Sequence, residues 1–112
     1  MPTTPDPLQL PATVESPVTT HYPENTELME ALFRVLLHND NVTPIEYVMH
    51  ILARIFTLSS EISEHIALTA HNDGTAIVII KPRTEAERLS LTANGIARAD
   101  GYPLTFSIEP EI

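Results

Sequence analysis

Apolar residues change rhythm at several places along the chain, and each change predicts an element. Phe33-Arg34-Val35-Leu36-Leu37 is a short β-favouring run, and His38-Asn39-Asp40-Asn41 follows it with polar side chains that prefer turns to ladders. Thr43-Pro44-Ile45-Glu46 then reads as a helix start. Thr at the N-cap, Pro at the first helical position and Glu at N3 would satisfy orphan amides reciprocally in a capping box. Ile45, Val48, Met49, Leu52, Ile55 and Phe56 recur at spacings of 3, 1, 3, 3 and 1, which stacks them into one apolar stripe.

Thr57 to Ser60 offers a break with fresh capping oxygens. Ile62, Ile66 and Ala70 mark a second helix running to His71, with Gly74 as its left-handed stop. The run Ala76-Ile77-Val78-Ile79-Ile80 is continuous and rich in β-branched residues, which predicts a strand buried on both faces at the centre of a sheet. Thr84-Glu85-Ala86-Glu87 repeats the capping-box pattern, and Leu89, Ala93, Ile96 and Ala97 line one helical face before Gly101. Leu104 to Ile108 alternates as a last strand. The order β-α-α-β-α-β folds economically as a three-stranded antiparallel sheet packed with three helices, an α+β domain.

Composition shifts near residue 28. Six of the ten prolines precede it, among Thr, Ser and acidic residues with few large apolar side chains. Pro removes backbone donors, and so little apolar surface cannot offset the entropy of ordering. Residues 1–27 are therefore expected to form a flexible acidic extension, and residues 28–112 the folded domain. The formal net charge of −9, with six basic against fifteen acidic side chains, disfavours nucleic acid and anionic membranes, both of which attract clustered Lys and Arg. The chain lacks Cys, which excludes disulfides and thiolate metal sites. No apolar run approaches the roughly 18 residues of a membrane span, and the N-terminus has no basic targeting region. A cytoplasmic location is expected.

Catalytic patterns are sparse. No G-x-S-x-G, Gly-rich phosphate loop or H-E-x-x-H occurs among only three glycines and five histidines. His65 and His71 stand about 240° apart around a helix, which does not suit a helical metal pair. No metal, cofactor or catalytic residue is expected. What the pattern does offer is a set of acceptors, Asn39-Asp40-Asn41 after a strand and His71 at a helix end, beside the apolar start of the first helix. Two readings fit. They converge on a pocket that takes a peptide α-ammonium and a large first side chain, or they cap a turn and meet solvent.

The segment FRVLLHNDNVTPIEYVMHIL with the later LTAHNDG closely resembles the ClpS family of protease adaptors. Ala97-Arg98-Ala99-Asp100-Gly101-Tyr102-Pro103-Leu104 and the Ile108-Glu109-Pro110 ending are similar to that family's C-terminal block. The resemblance implies a small α/β sandwich and an adaptor, not an enzyme. Such an adaptor binds the free N-terminal amine and bulky hydrophobic first residue of N-degron proteins, and delivers them to a Clp AAA+ ATPase of the ClpA or ClpC type with its ClpP peptidase. Carried over, the amine-binding positions fall on Asn39, Asp40, Asn41 and His71. The side-chain pocket falls on Thr43, Ile45, Val48, Ala67, Ala70 and Leu104, and the docking surface on Glu85 and Arg88 near the start of the last helix. Asn41 stands where many members carry Asp, Ile45 where a gating Met is usual, and Ala67 where a larger side chain often lines the floor. A weaker amine grip and an altered ranking of first residues are expected. The alternative is a Clp ATPase regulator that docks without reading N-terminal residues.

Overall fold

The computed structural model describes residues 30–112, so the expected extension over residues 1–27 lies outside the described residues. The elements run β1 (Leu32–His38), α1 (Ile45–Ile55), α2 (Ser60–Asp73), β2 (Thr75–Pro82), α3 (Arg83–Ala99) and β3 (Thr105–Pro110). The order and the antiparallel three-stranded sheet agree with the reading from the sequence.

The sheet order β2-β1-β3 corrects one expectation, because the Ala76–Ile80 run lies on an edge strand and β1 is central. Val35 and Leu37 of β1 point into the core, while Ile77 and Ile80 of β2 are 49% and 43% exposed. Strict alternation would put residues three apart on opposite faces. The register shift beside Val35 resolves this, since Val35 pairs with Ile79 and Leu36 with Ile77, leaving Val78 as an extra residue. Val78 and Ile79 therefore both serve the core side, and the run reads as continuous because its outer face is aliphatic too.

Helix starts depart from expectation in a consistent way. Pro44 occupies the N-cap of α1 with extended backbone (φ −64°, ψ 147°) and no side-chain cap bond, so Glu46 falls at N2 and no capping box closes. Pro82 likewise precedes α3, which places Thr84 inside the first turn, and Glu85 pairs with Arg88. The cap on α2 forms as expected, with Ser59 Oγ accepting from the Ile62 amide at 3.2 Å. Its far end closes on Gly74, whose φ of 95° suits glycine and whose amide donates to the Ala70 carbonyl at 2.8 Å.

Helices α2 and α3 pack on the sheet, and α1 packs against those two helices. Ile51 and Leu52 of α1, together with Phe56, are buried, and Phe56 meets Phe106 of β3 with ring centroids 5.1 Å apart. On α2 the buried positions are Ser63, Ile66, Ala67 and Ala70, whereas Ile62 faces outward. That stripe is built largely of small side chains. It lets α2 lie close while leaving little bulk near its C-terminal end.

Candidate functional site

The site begins with how the loop after β1 holds itself. Asp40 Oδ1 accepts from the amides of Val42 at 2.8 Å and Thr43 at 2.7 Å, and Oδ2 accepts from the Thr43 hydroxyl at 2.9 Å. This turn uses the Asp side chain as a stand-in for a backbone acceptor. It explains why Thr43 does not cap α1. Burial opposes ionisation of Asp40, but the hydrogen bonds from Thr43 and Val42 and the charge of Arg98 outweigh it and hold the carboxyl below its ordinary value. The carboxylate is therefore charged at neutral pH.

A second tie joins the loop to α2, with the Asn39 amide donating to the Gly74 carbonyl at 2.9 Å. The loop thus lies against the helix end that carries His71. Between them opens a concavity of about 260 Å³, mouth included. Loop residues Asn39, Asp40 and Thr43 form its polar side, and α1 contributes Ile45 and Val48. Ala67 and Ala70 of α2, with Leu104 from the segment before β3, supply apolar walls, and the end of β1 adds Leu37 and His38. Its enclosed free volume is about 10 Å³, near that of a single water.

Eight of the expected positions thus meet in one concavity, Asn39, Asp40, Thr43, Ile45, Val48, Ala67, Ala70 and Leu104. Asn41 and His71 do not line it; both are exposed, Asn41 one residue beyond Asp40 and His71 one residue beyond Ala70. Leu37 and His38 were not expected. Alternation along β1 already turns Leu37 inward at the strand end that feeds the loop, which is the signal that could have found it. His38 Nε2 lies 2.6 Å from Ser107 Oγ, joining β1 to β3 beside the site.

Glu85 and Arg88 lie elsewhere. They form an exposed ion pair at 2.7 Å on the first turns of α3 and rim a separate groove of about 130 Å³ with Phe56, Thr57 and Lys81. The Arg88 hydrogen bond holds Glu85 below its ordinary value. Among the described residues no group of three or more His, Cys, Asp or Glu side chains stands ready to hold a metal, and no helix is long and apolar enough to cross a membrane.

The sequence model of the family described as ATP-dependent Clp protease adaptor protein ClpS matches residues 29–107. The chain belongs to the ClpS family. The ClpS adapter protein of Desulfatibacillum aliphaticivorans is 40% identical over 80 residues, covering 71% of this chain and 77% of that protein. The ClpS 2 adapter protein of Agrobacterium fabrum is 36% identical over 80 residues, covering 71% of this chain and 78% of its own length. A solved structure of Agrobacterium tumefaciens ClpS2 bound to L-phenylalaninamide superposes with a TM-score of 0.71 at 36% identity, covering 72% of this chain and 98% of that one. As a ClpS adaptor the chain serves a Clp protease, and the family consists of adaptors rather than catalysts.

Proposed function

We propose that this ClpS chain binds the free α-ammonium and bulky hydrophobic first residue of N-degron proteins. It then presents them to a Clp AAA+ ATPase of the ClpA or ClpC type working with ClpP. The observation that carries this reading is the concavity itself, apolar on α1, α2 and Leu104 and closed at one end by the charged Asp40 loop. Phenylalaninamide, bound by the Agrobacterium ClpS2, has a free α-ammonium and one aromatic side chain, the two groups such a site would sort.

In this reading Asn39 and His71 accept ammonium hydrogens, while Asp40 supplies charge, with Asn41 beside it on the loop. Thr43, Ile45, Val48, Ala67, Ala70 and Leu104 surround the first side chain. Burying a Leu or Phe side chain contributes about 1.5–3 kcal/mol. Each charged hydrogen bond adds about 1.5–3 kcal/mol, against an association cost of at least about 4 kcal/mol. With two such bonds the balance is about −0.5 to −5 kcal/mol, weaker than micromolar, which permits handing cargo on. Residues 1–27 serve as the extension offered to the ATPase, and Glu85 with Arg88 contributes to docking. The cytoplasm is the expected compartment.

Fluorescence anisotropy on peptides that differ only in residue one tests the reading. Free Phe, Tyr, Trp and Leu termini bind, while acetyl-Leu fails because its uncharged amide leaves the acceptors without an ammonium. A second reading, a Clp regulator that reads no terminus, draws on the exposure of His71 and Asn41 outside the concavity. Altered ATPase or proteolysis rates without any discrimination by residue one would favour it.

A further inference from the structure

Two polar residues one turn apart on α3, Asn94 and Arg98, deal with the backbone that leads into and along β3. Asn94 uses both ends of its amide on one residue. Its Oδ1 accepts from the Phe106 amide at 2.7 Å, and its Nδ2 donates to the Phe106 carbonyl at 3.0 Å. A donor and an acceptor on the outer edge of β3 are thereby closed by a side chain.

Arg98 acts on the segment just before that strand. Its Nη1 donates to the carbonyls of Tyr102, at 3.1 Å, and of Leu104, and its Nη2 donates to Thr105 Oγ1 at 2.8 Å. Thr105 Oγ1 in turn donates to the Pro103 carbonyl at 2.9 Å. Three acceptors spread over four residues therefore converge on one planar guanidinium, a fork that a point-like ammonium cannot reproduce. Leu104, in their midst, is 1% exposed and forms a wall of the concavity. Leu104 falls in the gap between α3 and β3, outside the paired register that begins at Thr105.

We propose that Arg98 is a positioning residue for the first-residue pocket: by gripping the Tyr102 and Leu104 carbonyls and the Thr105 hydroxyl, it fixes the Leu104 wall and so sharpens selection for large side chains. This rests on the concavity being the side-chain site proposed above. Asn94 supplies the comparison that separates positioning from simple stability. It fastens the same strand one turn away but touches Phe106 rather than the pocket wall.

The test uses the full chain with Arg98→Met, which keeps the apolar stem, Arg98→Lys, and Asn94→Ala. Affinities are measured for peptides identical except for Phe or Ala at residue one. Thermal melting and the methyl resonances of Leu104 in the free protein are recorded alongside. Arg98→Met is expected to lower the Phe-to-Ala affinity ratio by about tenfold, one decade in Kd, and to broaden or average the Leu104 methyls. Arg98→Lys falls between, since one donor reaches one carbonyl. Asn94→Ala melts lower yet keeps the ratio of the parent chain. An unchanged ratio in Arg98→Met, or an equal fall in Asn94→Ala, overturns the proposal. If the parent chain itself fails to discriminate Phe from Ala, the pocket reading fails. The Leu104 methyls then decide for Arg98 alone, because unchanged signals in Arg98→Met refute positioning and altered ones sustain it.

Discussion

Replacing Asp40 by Ala is the sharpest perturbation of the loop, because one carboxylate organises three donors. Net contributions of about 1.5–3 kcal/mol per bond to a charged acceptor would sum to more than about 4 kcal/mol for a fully buried group. Here Val42 is exposed and Asp40 only part-buried, so water can replace much of what is lost. The expected cost is about 1–2 kcal/mol, comparable to losing a helix cap. Because the folded chain holds Asp40 below its ordinary value, the stabilisation is complete above about 3.9, the unfolded carboxylate's value. It is lost as pH falls through the lower folded value. Urea denaturation of the parent chain and Asp40→Ala, at neutral pH and in acid, should show a gap that shrinks in acid. A gap under about 0.3 kcal/mol at neutral pH, smaller than ordinary surface effects, would refute the reasoning. So would a gap that persists unchanged in acid.

Other expectations follow from the same geometry. Ala67→Met fills the apolar wall and should weaken Phe-first peptides more than Leu-first ones, while Ile45→Met should change the acceptance of Ile and Val at residue one; unchanged rankings in anisotropy would count against both. Tyr47, whose hydroxyl donates to Asp100 at 2.6 Å, is pushed up to about 12 by burial and by that bond, so stability should fall between pH 10 and 12 as the unfolded tyrosine ionises first. Tyr47→Phe should lose about 0.5–1.5 kcal/mol at neutral pH and show no such alkaline loss from this position. In the proposed reading His71 accepts from the ammonium, so His71→Ala should weaken free-amine peptides in anisotropy; unchanged affinity argues against the His71 role.

The six elements were legible because each carries its own period: alternation or β-branched runs for the strands, a 3-and-4 stripe for the helices. The errors came where two physical causes write the same letters. An aliphatic outer face on β2, with the bulge at Val78, is indistinguishable in sequence from a strand buried on both sides. Thr-Pro-x-Glu reads as a capping box, but Pro44 takes the N-cap and Asp40 captures the Thr43 hydroxyl, a competition decided by the preceding turn. Asn39, Asp40, Thr43, Ile45 and Val48 lie within ten residues, so their convergence was visible locally. Ala67, Ala70 and Leu104 reach the same space only through the tertiary fold, and it was the resemblance to ClpS proteins that pointed to them. Asn94 gave no signal, and Arg98 entered only as one position of the ClpS-like C-terminal block, because polar residues on a helix look the same whether they meet water or a strand edge.

The geometry also divides labour within the proposed amine site. A carboxylate has about four lone-pair positions. Asp40 already commits three of its acceptances to the loop, two at Oδ1 and one at Oδ2. Little capacity remains for direct bonds to an ammonium, and the Arg98 charge that lowers its pKa also offsets part of its field. Asp40 is therefore better suited to shaping the loop than to gripping the cargo. In the proposed reading the direct acceptors fall to Asn39, whose backbone is pinned to Gly74, and to His71 near the same helix end. A site built this way feels the neutral Asn41 strongly, because no second carboxylate on the loop compensates for the charge that Asp40 shares with its own turn.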